Sequence, residues 1–131
     1  MRGAVSSLAG RPGGGWLVTR IVLPVPPSAG LYWRLVRGRI VKTAAARGYQ
    51  QGVKLRALAQ GCRPTAGLVA VTVHWFRAAR RGDLDNHLKV VLDALQGAAY
   101  RNDKQIVELH AYRLEDRQNP RLQIAIEDVA P

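Results

Sequence analysis

The chain has 131 residues, with 20 Lys and Arg against 9 Asp and Glu for a formal net charge of +11, and 47% of it is hydrophobic. That length is one ordinary domain, able to bury roughly two thirds of its unfolded surface without covalent staples. The charge favours polyanionic partners, nucleic acid first, and the single Cys62 excludes an internal disulfide or a thiolate zinc cage.

Residues 1–15, rich in Gly and small side chains, read as a mobile tail, and 16–131 as the folded domain. "WLVTRIVLP" (16–24) is a β-branched strand halted by the prolines of "PVPP". "LYWRLVRGRIVK" (31–42) reads as two short strands turning at Arg37-Gly38, and Thr43 caps a helix running to Gly61. "GLVAVTVHWFR" (67–77) is apolar on both alternating sets, the mark of a central buried strand. After "AARRGD" the spacing of Leu84, Leu88, Val91, Leu92 and Leu95 predicts a helix ending at Gly97. "IVELHAYRLE" and "RLQIAIE" then predict a hairpin across "DRQNP". This order gives a single α+β domain, a mixed sheet packed with two main helices. No run of eighteen apolar residues would span a membrane, no secretory signal stands out, and no Gly-rich motif cradles a nucleotide, so a cytoplasmic protein without membrane or nucleotide cofactor is expected.

Against this basic background, residues 83–103 hold four of the nine carboxylates: Asp83, Asp85, Asp93 and Asp103. Singly, each has a structural explanation. Asp85 suits a helix N-cap, Asp93 an ion pair with Lys89 one turn earlier, and Asp103 a turn. Together, Asp83 and Asp85 precede and open the helix, and Asp103 follows once the chain has returned, so three carboxylates from two loops are expected to converge. Clustered anions call for a cation, and Mg²⁺, with Mn²⁺ as a substitute, takes such oxygen ligands together with substrate phosphate. Lys89, one turn beyond Asp85, is placed to stabilise charge on a phosphate. Arg77, Arg80, Arg81, Arg101 and Lys104 surround the region as phosphate contacts.

Tyr32 and Trp33 are candidates to stack on bases, whereas Phe76 or Trp75 belongs to the core. His87 points away from Asp85 on a helical wheel and is expected to face solvent. His74 and His110 lie in predicted strands without metal-binding spacing.

Five segments occur in an order and spacing that resembles the RusA-type Holliday junction resolvases: "LPVPPS" (23–28), "YWR" (32–34), "RGR" (37–39), "DLDNHLKVVLDAL" (83–95) and "NDKQIVE" (102–108). The resemblance covers about residues 20–127. It implies a RusA-like, Mg²⁺-dependent homodimer that introduces paired nicks into four-way junction DNA. By motif it places the catalytic aspartates on Asp83, Asp85 and Asp103, the essential lysine on Lys89, and adds Arg34, Arg37 and Arg39 to the DNA contacts. Two departures stand out: Ala29-Gly30 where many members have Asn, and Asn102-Asp103 where many have paired aspartates. The competing readings are a non-catalytic nucleic-acid-binding protein, and a metal nuclease acting on other DNA or RNA structures.

Overall fold

The computed structural model describes residues 18–129. The expected tail, and the first two residues of the first predicted strand, lie outside them. In chain order the elements are β1 (Val18–Leu23), α1 (Ala29–Tyr32), β2 (Trp33–Val36), β3 (Arg39–Lys42), α2 (Ala44–Ala59), β4 (Val69–Arg77), α3 (Leu84–Ala94), β5 (Ile106–Glu115) and β6 (Arg121–Asp128). A single 3₁₀ turn, Asp103–Gln105, leads into β5. The class is α+β with a mixed sheet, as expected, but with three helices. No helix among the described residues is long and apolar enough to cross a membrane.

The main sheet has the order β1-β6-β4-β5. β4 is buried along Val69–Phe76 and is paired on both edges, antiparallel to β6 and parallel to β5. The predicted hairpin of the last two strands is therefore wrong, because β4 lies between them. A strand apolar on both faces demands neighbours on both sides, and this requirement overrides the short turn at 116–120. That turn is held instead by Arg121, which donates to Asp116 at 2.8 Å.

One sheet face carries the core. Val71, Val73 and Trp75 of β4, Ile21 of β1 and Ile124 of β6 pack with Val53 and Ala57 of α2 and with Val91 and Ala94 of α3. α2 starts where the sequence indicates: Thr43 Oγ1 accepts from the Ala46 amide at 3.1 Å, and Gly61 follows the helix with a left-handed φ of +83°. Gly48 and Gly52 are tolerated within it.

β2 and β3 form a separate two-stranded ribbon. Its turn places Arg37 at φ +52° and Gly38 at φ +77°, the paired left-handed geometry of a tight hairpin. Residues 31 and 32, expected as strand, instead complete the single turn α1, in which the Leu31 and Tyr32 amides both donate to Ser28 O.

Candidate active site and nucleic-acid interface

The connection from β4 to α3 is a braced loop. Arg77 donates to Arg81 O at 3.0 Å and also reaches Glu115 at 3.3 Å, while Arg113 donates to Gly82 O at 3.3 Å. Gly82 sits at φ +91°, and a Cβ there would come within 3.0 Å of the Trp75 ring, so only glycine lets the loop close on the indole. Arg77, expected to touch phosphate, is largely shielded and engaged in this bracing.

The loop delivers Asp83 as the N-cap residue of α3, yet its carboxylate makes no capping bond and instead accepts from Asn86 Nδ2 at 3.3 Å. Asp85, expected as the cap, lies in the first turn and accepts from the Asn86 amide at 2.9 Å. Both carboxylates are exposed, and neither is ion-paired with another described residue. Lys89 is exposed one turn along, also outside any ion pair of the described residues.

Asp93 does not pair with Lys89. Its Oδ2 accepts from the Tyr32 hydroxyl at 2.6 Å and from Gln50 Nε2 at 3.2 Å, and meets Lys42 Nζ at 3.0 Å, while Oδ1 accepts from Gln96 at 3.2 Å. The partner is instead Lys42, the last residue of β3, while the single turn α1 packs on the same helix. Tyr32 is fully buried, so it is not free to stack on a base; burial, followed by the bond to Asp93, pushes its hydroxyl pKa upward. Trp33 is half-buried and packs edge-on against Tyr32 at 4.7 Å.

Asp103 opens the 3₁₀ turn and is exposed. Asn102 caps that turn, accepting from the Lys104 amide at 2.8 Å, while Gln105 Oε1 accepts from the Asn102 amide at 2.8 Å. The Asn102 amide oxygen thus has a structural role. The expected convergence of three carboxylates does not occur within one chain: among the described residues no three His, Cys, Asp or Glu are grouped to hold a metal. The cause is topological. In a parallel β4–α3–β5 crossover, the loop entering the helix and the loop leaving it lie at opposite ends of the sheet. Ile106, three residues after Asp103, pairs with Val69, whereas Gly82, next to Asp83, closes on Trp75. Val69 to Trp75 spans roughly 20 Å of strand.

His87 does not face solvent. It is 9% exposed and stacks on Trp75 with ring centroids 3.6 Å apart and planes 6° from parallel. Burial lowers its pKa to about 4, so the ring is neutral at physiological pH. The missed signal was its spacing, since 87, 90, 91 and 94 form the buried stripe of α3. Beside the stack, a cavity of about 410 Å³ opens next to Asp83.

The remaining basic candidates are exposed: Arg34, Arg37 and Arg39 on the ribbon, Arg80 and Arg81 before α3, and Arg101 and Lys104 around Asp103. Arg80 also meets Glu115 at 3.2 Å in an open surface pair. Each acidic group is therefore flanked by cations able to approach phosphate.

Residues 24–127 match the family model for endodeoxyribonuclease RusA. The crossover junction endodeoxyribonucleases of Enterobacteria phage 82 and of Escherichia coli K12 are each 30% identical to the chain over 115 residues, which is 83% of this chain and 93% of the relative. The relative from Escherichia coli O1:K1 aligns to the same extent. With the family model matched over most of its length, this basic α+β chain belongs to the endodeoxyribonuclease RusA family.

Proposed function

We propose that the chain is a Mg²⁺-dependent endodeoxyribonuclease that resolves four-way DNA junctions by paired nicks, acting as a homodimer, with Mn²⁺ able to replace Mg²⁺. The observation that carries this reading is the pair Asp83 and Asp85, two exposed carboxylates without cationic partners among the described residues of a chain of net charge +11. The described basic side chains could neutralise them and leave them open.

Two carboxylates completed by water and phosphate oxygens suit the hard-cation preferences of Mg²⁺. Asp83 and Asp85 would hold the ion, and Asp103 would join them from a second copy, since the crossover keeps it away from them within its own chain. When bound, the ion supplies Lewis-acid polarisation of the phosphodiester and activation of water. Lys89 offsets negative charge building on the phosphate. The ribbon, with Arg34, Arg37 and Arg39, has the width of a major-groove reader and grips the backbone of one arm. Arg80, Arg81, Arg101 and Lys104 contact phosphates around the cut. A two-fold pair of chains matches the approximate two-fold symmetry of a four-way junction, placing one site on each of two opposed strands.

The test is a labelled four-way junction incubated with Mg²⁺ and either wild-type protein or Asp85→Asn. Symmetric nicks that vanish in the variant while junction binding persists support the reading. Binding without nicks in the wild type would leave a nucleic-acid-binding protein. Equal cutting of linear DNA or of RNA would leave a nuclease without junction selectivity.

A further inference from the structure

Leu35 and Ile40 are the most exposed large hydrophobic side chains among the described residues, at 71% and 74%. They are also cross-strand partners, directly opposite each other in the β2–β3 ribbon. Alternation along the strands puts them on one ribbon face with the Trp33–Lys42 pair, and puts Arg34 and Arg39 on the other. At the foot of the apolar face Trp33 packs on Tyr32 and Lys42 meets Asp93, so that end is fixed to the domain. Two residues further out Leu35 and Ile40 stand in water, and the turn at Arg37-Gly38 follows.

Single apolar side chains on a surface are ordinary, but a facing pair on an anchored ribbon makes a contiguous patch. Cross-strand packing gives the ribbon some support, yet paired threonines would supply it without exposing so much aliphatic surface. The surroundings select the occupant. Arg34, Arg37 and Arg39 are exposed on the same ribbon, and no Asp or Glu precedes Asp83 in the chain. A second copy meeting the patch ribbon to ribbon would set like charges against one another. The partner that fits has a flat apolar surface framed by dense negative charge. The end of a base stack has this make-up, a base-pair face bordered by phosphates.

We propose that Leu35 and Ile40 form a wedge that packs on a base-pair face at the branch point, while Arg34, Arg37 and Arg39 hold the adjoining phosphates. The proposal rests on the junction-nuclease reading and adds to it a source of structural selectivity. Apolar side chains inserted at a base step unstack it and kink the duplex. Opening costs least where pairing and stacking are already interrupted, so the wedge favours branched over linear DNA.

The experiment uses full-length protein without metal, so no strand is cut. Affinity is measured across salt for a four-way junction and for a linear duplex of the same sequence. A 2-aminopurine beside the branch reports unstacking as a rise in fluorescence. The double variant Leu35→Thr, Ile40→Thr keeps side chains suited to a strand and changes no charge. It should lose about tenfold or more in junction affinity, with duplex affinity and salt slope unchanged and the fluorescence rise diminished. Leu35→Phe, which keeps an apolar wedge, should retain both junction affinity and the rise. Equal losses on junction and duplex, no loss on either, or a Leu35→Phe defect as large as that of the double variant overturns the wedge and leaves the nuclease reading standing. Failure of the wild type to bind the junction overturns both. If the double variant instead changes only the oligomeric state in light scattering, the patch seats a second copy and the proposal fails.

Discussion

Asp83 and Asp103 stand at opposite ends of the β4–α3–β5 crossover, one before the helix and one after it. Within one chain they cannot ligate a common ion. Mixing two inactive proteins, Asp85→Asn and Asp103→Asn, should therefore restore nicking. In a mixed pair one site inherits both mutations and the other none, so up to about a quarter of wild-type sites return with random exchange. The restored product should be single nicks rather than resolved duplexes. No recovery after confirmed subunit exchange would mean that the two aspartates do not act at a shared site.

Asp93 is the anchor of the ribbon. Asp93→Ala leaves the Tyr32 hydroxyl buried without its acceptor and Lys42 without its partner. Stability to urea should fall by about 2 kcal/mol or more. Tyr32→Phe, which spares Lys42 and Gln50 as partners of the carboxylate, should cost roughly 1 kcal/mol. Equal stability of Asp93→Ala and wild type would show that the network contributes nothing net.

The neutral His87 links folding to pH. Its folded pKa, about 4, lies below the ordinary 6.5, so the unfolded chain binds the additional proton between those values. Stability from this residue is complete above pH 6.5, falls as pH drops toward 4, and levels off below. Compared with His87→Phe, the wild-type melting temperature should therefore decline more steeply across that window. Parallel declines would place the imidazole in water.

Arg37 holds a left-handed backbone conformation, φ +52°, that disfavours an arginine. Arg37→Asn should raise stability by roughly 1 kcal/mol while weakening junction binding and its salt dependence. Undiminished affinity would remove Arg37 from the DNA contacts.

Local chemistry was legible in the sequence wherever one segment decides its own fate. Thr43 and Gly61 bracket α2, Arg37-Gly38 sets the ribbon turn, and the apolar run at 69–76 fixes the centre of the sheet. What depended on partners far along the chain was not legible. The pairing of β5 with β4, rather than with the adjacent β6, follows from the appetite of a buried strand for two neighbours. That same pairing decides where Asp103 stands. The angle from Asp85 alone points His87 outward, whereas Val90, Val91 and Ala94 define the inward stripe that it joins. Tyr32 and Lys42 are near in sequence to each other but not to Asp93, and nothing local announces their meeting.

The network at Asp93 also has a mechanical consequence. Lys42 ends the ribbon, Tyr32 precedes it, and both are tied to the helix whose opposite end carries Asp83 and Asp85. An α-helix of eleven residues is about 16 Å long and stiff along its axis. On the roles proposed above, a duplex arm pulling on the ribbon would load this strut at its far end, and the thrust would arrive where the carboxylates sit, so the angle of the arm would bear on their alignment.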